Sequence, residues 1–227
     1  KTCFNEKNPL YACDYRLKIE NGEYIWVSSK GRIMFNEQGK PVRITGSHTD
    51  ISEKKKLEKQ LEKLAYHDQL TGALIRNVFM KKLESILEKA DKEKIKPAVM
   101  FLDLDNFKTI NDVYGHYAGD IVLKIVSQRL MSCIKDTGIL CRIGGDEFAI
   151  LLPEANEIDK IAQSIINSFK DPIIIDDYKF IISTSIGISQ YNYDKVDGET
   201  LLKRADIAMY KAKESGRNNI QYFTDIL

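Results

Sequence analysis

Two acidic groups far apart in this chain could do chemistry together if folding brings them to one place. The run Val99-Met100-Phe101-Leu102-Asp103-Leu104-Asp105 is fit for burial except for its carboxylates, and a buried carboxylate is costly unless paired or coordinated. The second group is Gly144-Gly145-Asp146-Glu147. Its glycines permit positive φ and leave no side chain between the backbone and an approaching ligand. Each feature also has a plainer reading. Asp103 or Asp105 could cap the next helix or bond loop amides, and a Gly-Gly-Asp-Glu hairpin could be just a turn. Two acidic groups converging at strand ends, however, are what a hard, oxygen-preferring Mg²⁺ or Mn²⁺ takes as ligands. Such an ion bridges nucleotide phosphates, lowers the pKa of an attacking hydroxyl and offsets charge on the leaving oxygen. Lys108 after Phe107, and Lys211, Lys213 and Arg217 around the end of the last helix, are the residue types that partner polyphosphate. Lys211 reads better as part of a solvated helix face.

The elements that must position these residues follow from periodicity. Val78 to Ala90 is helical, Pro97 precedes the apolar strand Ala98 to Leu104, and Ile121, Val122, Ile125, Val126 and Leu130 form a helical stripe within Gly119 to Cys133. Ile139 to Ile143 and Phe148 to Leu152 flank the glycine turn as a hairpin. A helix from about Ile158 to Phe169, a hairpin pairing Ile173 with Ile181 to Ser189, and a helix from about Glu199 to Glu214 complete the pattern. Helices alternating with strands around a mainly antiparallel sheet make an α+β sandwich.

Ahead of this lies a different composition. Tyr15, Leu17 and Ile19, the turn Asn21-Gly22, Tyr24 to Val27, Gly31 to Phe35 and Val42 to Ser47 predict a three-strand antiparallel meander within residues 1–50. Residues 51–66 turn to Glu, Lys and Leu, with Leu57, Leu61 and Leu64 spaced four then three apart on one helical stripe. This linker is either a solvated connector or a short parallel coiled coil joining two subunits. The remaining domain spans residues 67–227.

Composition excludes several classes. With 34 basic and 33 acidic residues in 227, net charge +1, no global field favours wrapping nucleic acid or lying on an anionic membrane. No apolar run approaches the roughly 20 residues that span a bilayer, so no membrane contact is expected of this piece. Cys3, Cys13, Cys133 and Cys141 lack zinc-site spacing and are expected to be reduced and mostly buried, as in a cytoplasm. His67 and His116 are read as structural hydrogen-bonders rather than bases.

The ordered set Asp68-Gln69-Leu70-Thr71-Gly72, Asp103 through Asp112, Gly115-His116, Gly119-Asp120, Arg142 through Phe148, Ser185-Ile186-Gly187, Ala205-Asp206 and Lys213 through Asn218 closely resembles the GGDEF diguanylate cyclase family, in unbroken order from about residue 66 to 223. The resemblance implies a fold like the palm of polymerases and nucleotide cyclases. It implies that two GTP molecules, one per subunit of a homodimer, are joined into cyclic di-GMP with release of pyrophosphate. By the same resemblance Asp103 and Asp146 bind Mg²⁺ or Mn²⁺ with the Leu104 carbonyl. Asn111 and Asp120 read the guanine edge, and Lys108, Lys213, Arg217 and amides near Phe107 hold the β and γ phosphates. Glu147 assists deprotonation of the ribose 3′ hydroxyl. Two readings from other classes stand beside this: a non-catalytic GTP-binding regulatory module, and a cyclase making a mononucleotide.

Two positions depart from the family pattern. The product-inhibition motif Arg-x-x-Asp is absent, with Lys135 and Gly138 in its place, and the asparagine expected after Thr-Gly is Ile75. The N-terminal piece resembles the back half of a PAS sensor domain, through Tyr15-Arg16-Leu17, Asn21 through Val27, and Gly46 through Lys55, the last matching the junction where such a domain enters its output helix. Its ligand is unreadable. His48 and Trp26 read as packing residues.

Overall fold

The computed structural model describes residues 10–224. The chain divides into two compact units, Lys1–Ala65 and Tyr66–Leu227.

In the first unit β1 (Leu10–Lys18), β2 (Tyr24–Phe35) and β3 (Pro41–Asp50) form an antiparallel sheet in that order. The meander is as expected, except that Tyr24 to Phe35 is one strand, because Ser28 to Lys30 stay paired with both neighbours. Helix α1 (Ser52–Tyr66) starts against this sheet. Ser52 Oγ accepts from Trp26 N at 2.9 Å, Ile51 N donates to Trp26 O at 2.8 Å, and Asp50 accepts from Ser52 N at 2.8 Å. Beyond that anchored start, Leu57, Leu61 and Leu64 are 52%, 64% and 58% exposed.

The second unit has the expected α+β layout. A six-stranded sheet runs β11 (Ile220–Tyr222), β10 (Ser183–Gln190), β5 (Ala98–Asp105), β7 (Glu147–Leu152), β6 (Ile139–Gly144), β4 (Leu74–Ile75). Its interior pairs are antiparallel; only β10 with β11 and β4 with β6 are parallel. All eight residues of β5 are buried, because helices cover both faces. Ala98, Met100, Leu102 and Leu104 face one core, with α3 (Phe107–Ile134) and α4 (Ile158–Ser168). Val99 and Phe101 face the other, with α2 (Arg76–Glu93) and α5 (Gly198–Glu214). Phe79, Leu83, Leu87 and Ala90 of α2 recur at helical spacing on that buried side. Each such large side chain withdrawn from water contributes about 1.5–3 kcal/mol. Because strand residues alternate between faces, Asp103 and Asp105 fall on the α2–α5 side.

Three sequence expectations need correction. The helix before Cys133 begins at Phe107, twelve residues earlier than its apolar stripe indicates, because Gly115 (φ 80°, ψ 164°) breaks α3 into two segments whose buried faces are out of phase. Ile173 does not pair with the strand ending at Ser189: β8 (Ile173–Ile175) pairs with β9 (Tyr178–Phe180) across the turn at Asp176, leaving β10 to join the central sheet beside β5. Of the cysteines, Cys141 is buried, and burial pushes its thiol up to about 12, while Cys13 and Cys133 are half-buried and Cys3 lies outside the described residues. Among the described residues no helix is long and apolar enough to cross a membrane.

Candidate active site

Strand register brings the two acidic groups together. Asp103 lies directly across from Glu147 on β7 and from Ser185 on β10. The β6–β7 hairpin closes on Gly144 and Glu147, with Gly145 at φ 53° and Asp146 half-buried at the tip. Arg142 holds this tip in place: its Nε and Nη2 donate to the Gly145 carbonyl at 3.0 and 2.7 Å, and its Nη1 reaches Asp68 at 3.2 Å. Asp68 in turn accepts from Thr71 N and Oγ1. Burial works against the Asp68 charge, but the Thr71 bonds and the Arg142 guanidinium outweigh it and hold the carboxyl below its ordinary value.

Lys213, in the last turn of α5, places Nζ 2.7 Å from Asp103 Oδ2. The helix lies so close to β10 that a Cβ on Gly187 would stand 2.0 Å from the Ala205 carbonyl oxygen. Despite the ammonium, the Asp103 carboxyl is raised, chiefly by burial and further by the charges of Asp146 and Asp105. Glu147 is raised too, by burial first and then by Asp103, Asp206 and Asp146. The cluster is therefore short of positive charge. Hard oxygen donors in excess of their cations are the donor set that fits Mg²⁺ or Mn²⁺. Among the described residues no group of three or more His, Cys, Asp or Glu side chains is placed to hold a metal ion. An ion held by two carboxylates and one carbonyl, with the remainder from phosphate oxygens, does not require one. Leu104, whose carbonyl is the expected third ligand, lies between Asp103 and Asp105 on β5 and is 1% exposed.

The two neighbouring aspartates have different surroundings. Asp105 accepts hydrogen bonds from Ser183 Oγ, Ser185 Oγ and Asn218 N, so the plainer reading of a carboxylate bonded to loop amides applies to it and not to Asp103.

Asn111 lies against Gly119, the residue before Asp120. The bend at Gly115 folds the first segment of α3 back so that Asn111 packs onto Gly119: a Cβ there would stand 1.9 Å from Asn111 Oδ1. Only glycine allows that approach, and Asp120 is the next residue. The Phe107 ring is buried, facing Gly119, which leaves its backbone amide at the α3 N-terminus, where helix amides lack internal acceptors. Lys108 and Arg217 are exposed and form no ion pair with described residues. Their side chains are not gathered into the cluster as that of Lys213 is.

Three features arise from contacts that the sequence does not display. The Asp68–Arg142 staple joins residues 74 apart in sequence. The Asp105 network depends on strand register. Asp206 acts on Glu147 only through the docking of α5, and it also edges a cleft of about 370 Å³ lined by Arg76, Phe101, Ile143, Glu199 and Lys203. That cleft contains none of Asp103, Asp146 and Lys213. The motifs containing Asp68, Arg142 and Asp206 were visible; their partners were not.

Comparison with known proteins gives a consistent result. Residues 65–219 match the family described as "Diguanylate cyclase, GGDEF domain", and residues 1–48 match a PAS fold. The signaling protein YkoW of Bacillus subtilis (strain 168) is 39% identical over 179 residues, covering 77% of this chain and 22% of that protein. The cyclic di-GMP phosphodiesterase NbdA of Pseudomonas aeruginosa is 40% identical over 166 residues, 72% of this chain and 21% of that protein. This chain thus spans about a fifth of the length of those relatives. Among solved structures, one comprising only the GGDEF domain of PA1120 (TpbB or YfiN) from Pseudomonas aeruginosa is 38% identical with a TM-score of 0.67, covering 70% of this chain and 95% of that one.

Proposed function

The chain belongs to the GGDEF diguanylate cyclase family, with a PAS segment ahead of the GGDEF domain, and from that premise we propose that it condenses two GTP molecules into cyclic di-GMP. The observation that carries this reading is the cross-strand placement of Asp103 against Glu147, with Lys213 bonded to the same Asp103 carboxylate. The phosphodiesterase activity in one relative's name does not weigh against it, because the shared segment is a fifth of that protein.

Asp103 and Asp146, with the Leu104 carbonyl, would hold Mg²⁺ or Mn²⁺, which would supply positive charge for the phosphates and lower the pKa of the attacking hydroxyl. Lys213 exchanges Asp103 for the triphosphate, joined by Lys108, Arg217 and the first amides of α3. Asp120 accepts from guanine N1 and N2, beside Asn111; adenine offers no matching donors and leaves the carboxylate unpaired. Glu147, its carboxyl raised by burial and neighbouring charge, accepts the 3′ hydroxyl proton. The 3′ oxygen then bonds to the α phosphorus of the second GTP, the bond to the β phosphate oxygen breaks, and pyrophosphate leaves. A second such step closes the ring. Each subunit holds one GTP, so two copies must face each other.

Incubation with GTP and Mg²⁺ followed by separation of products tests this. Cyclic di-GMP is expected. Unchanged GTP that still binds the protein would make it a regulatory module, and cyclic GMP would make it a mononucleotide cyclase.

Two further results follow from the reading. Gly119→Ala drives a methyl into Asn111 Oδ1 and is expected to raise KM for GTP by about tenfold to a hundredfold, roughly 1.4–2.7 kcal/mol. A melting temperature measured beside the kinetics separates displacement of Asn111 from lost packing against the Phe107 ring, whose Cζ would stand 3.2 Å from the new methyl. Steady-state kinetics at varied GTP would decide it, and an unchanged KM would remove Asn111 from the guanine pocket.

Product inhibition should be weak. Lys135 is exposed and lacks a guanidinium fork. Gly138 is packed so that a Cβ would meet Leu152 Cδ2 at 2.9 Å and the Leu151 carbonyl at 3.3 Å. The nearby Arg129 already donates to the carbonyls of Ser168, Asp171 and Pro172. Calorimetric titration of cyclic di-GMP is expected to show less than about a tenfold affinity loss on Lys135→Ala, under about 1.4 kcal/mol. Tight binding that depends on Lys135 would be the contrary result.

A further inference from the structure

We infer that Asp105 is a positioning residue: it fixes the turn after α5 to the central strand and so sets where the Arg217 guanidinium can reach. This deepens the proposed function and rests on its reading of Arg217 as a phosphate contact.

The turn is one that a free chain would avoid. Gly216, Arg217 and Asn218 have φ of 107°, 61° and 49° in succession, and side-chain-bearing residues adopt such conformations only where their surroundings impose them. Two ties impose them here. On the helix side, Asn219 Nδ2 donates to the Ala212 carbonyl at 2.8 Å and the Arg217 carbonyl at 2.9 Å, while Arg217 N donates to the Ala212 carbonyl at 3.1 Å. On the sheet side, the Asn219 carbonyl accepts from Ile186 N of β10 at 3.0 Å, and Asn218 N donates to Asp105 Oδ2 of β5 at 3.1 Å, the one of these two bonds made by a side chain. The Asp105 carboxylate is held in turn by Ser183 Oγ on the same oxygen at 2.6 Å and by Ser185 Oγ on the other at 2.7 Å. It is 5% exposed.

Three donors on a buried carboxylate leave it little capacity for a cation, so its charge goes into holding the turn. The arrangement also explains why two aspartates two residues apart serve different ends. Asp103 faces the end of α5 that carries Lys213, while Asp105 faces the turn that carries Arg217. One strand end thereby sets the spacing of both basic arms.

The test is a double-mutant cycle on the full chain between Asp105→Asn and Arg217→Ala, reading the dissociation constant of a non-hydrolysable GTP analogue with Mg²⁺, together with amide hydrogen exchange. Asparagine keeps the shape of Asp105 but replaces one accepting oxygen with a donor. Asp105→Asn alone is expected to weaken analogue binding about tenfold, and to add less than about twofold in the Arg217→Ala background, because it acts through that side chain. Exchange should accelerate at residues 215–219 and not along β5. The double variant Ser183→Ala with Ser185→Ala, which keeps the Asp105 side chain and removes the two hydroxyls that hold it, provides the same comparison should Asp105→Asn unfold. Full additivity, or unaltered exchange at 215–219, would overturn the inference. If Arg217→Ala itself leaves analogue binding unchanged while exchange still accelerates at the turn in Asp105→Asn, the phosphate reading of Arg217 fails, and the positioning role for nucleotide binding fails with it.

Discussion

Asp146→Ala is expected to lower turnover by about a thousandfold or more, some 4 kcal/mol of barrier, while leaving the fold intact. The two effects separate because the hairpin tip is not held by the Asp146 side chain. Arg142 holds it through the Gly145 carbonyl, and Asp68 holds Arg142. The charge of Asp146 in fact opposes its neighbours, since it raises the carboxyls of both Asp103 and Glu147. A carboxyl whose folded-state pKa is raised contributes stability below its unfolded value and loses that contribution as pH rises through the folded value. At neutral pH the cluster therefore costs stability in the absence of a cation. Removing one of its charges should leave the melting temperature unchanged or slightly higher, and should move the acid limb of any residual activity to lower pH. Calorimetry and a pH–rate profile would check both. Full activity in Asp146→Ala would end its assignment as a metal ligand.

Much of this site was legible because its parts are local in sequence. The glycine turn between two apolar runs announces its own hairpin, and an acidic end on an otherwise apolar strand is conspicuous. What periodicity could not supply was phase and register. Gly115 puts the two segments of α3 out of step, so the stripe from Ile121 onward says nothing about the segment carrying Asn111, and the approach of Asn111 to Gly119 exists only because of the bend. Asp103 and Asp105 are equivalent in strand pattern, two residues apart on one face. They are distinguished by Lys213 reaching one and the Asn218 amide the other. Short strands fared worst. β9 and β11 have three residues each, too few for alternation to register, and the omission of β9 is what misassigned the partner of Ile173.

Glutamate at both Leu57 and Leu61 is expected to leave the protein monomeric and to cut specific activity at low micromolar concentration by at least about a hundredfold. The reading requires two GTP-loaded copies, and the linker helix has an apolar face for bringing them together. α1 is fifteen residues long, a length at which an isolated helix in water is marginal. Its start is tied to β2 at Trp26, but Leu57, Leu61 and Leu64 remain more than half exposed. Their spacing of four then three is that of core positions in a parallel two-stranded coil. Each leucine buried in such a pair contributes at most about 1.5–3 kcal/mol, and part of the total offsets the lost freedom of two molecules. Association should therefore be weak enough for wild-type specific activity to climb with protein concentration, as expected of a reaction second order in subunit. The glutamate pair should shift that rise to much higher concentration without altering KM for GTP within the subunit. Sedimentation velocity beside activity at a series of concentrations would read both quantities. A variant that stays dimeric and fully active would show that another surface joins the two copies.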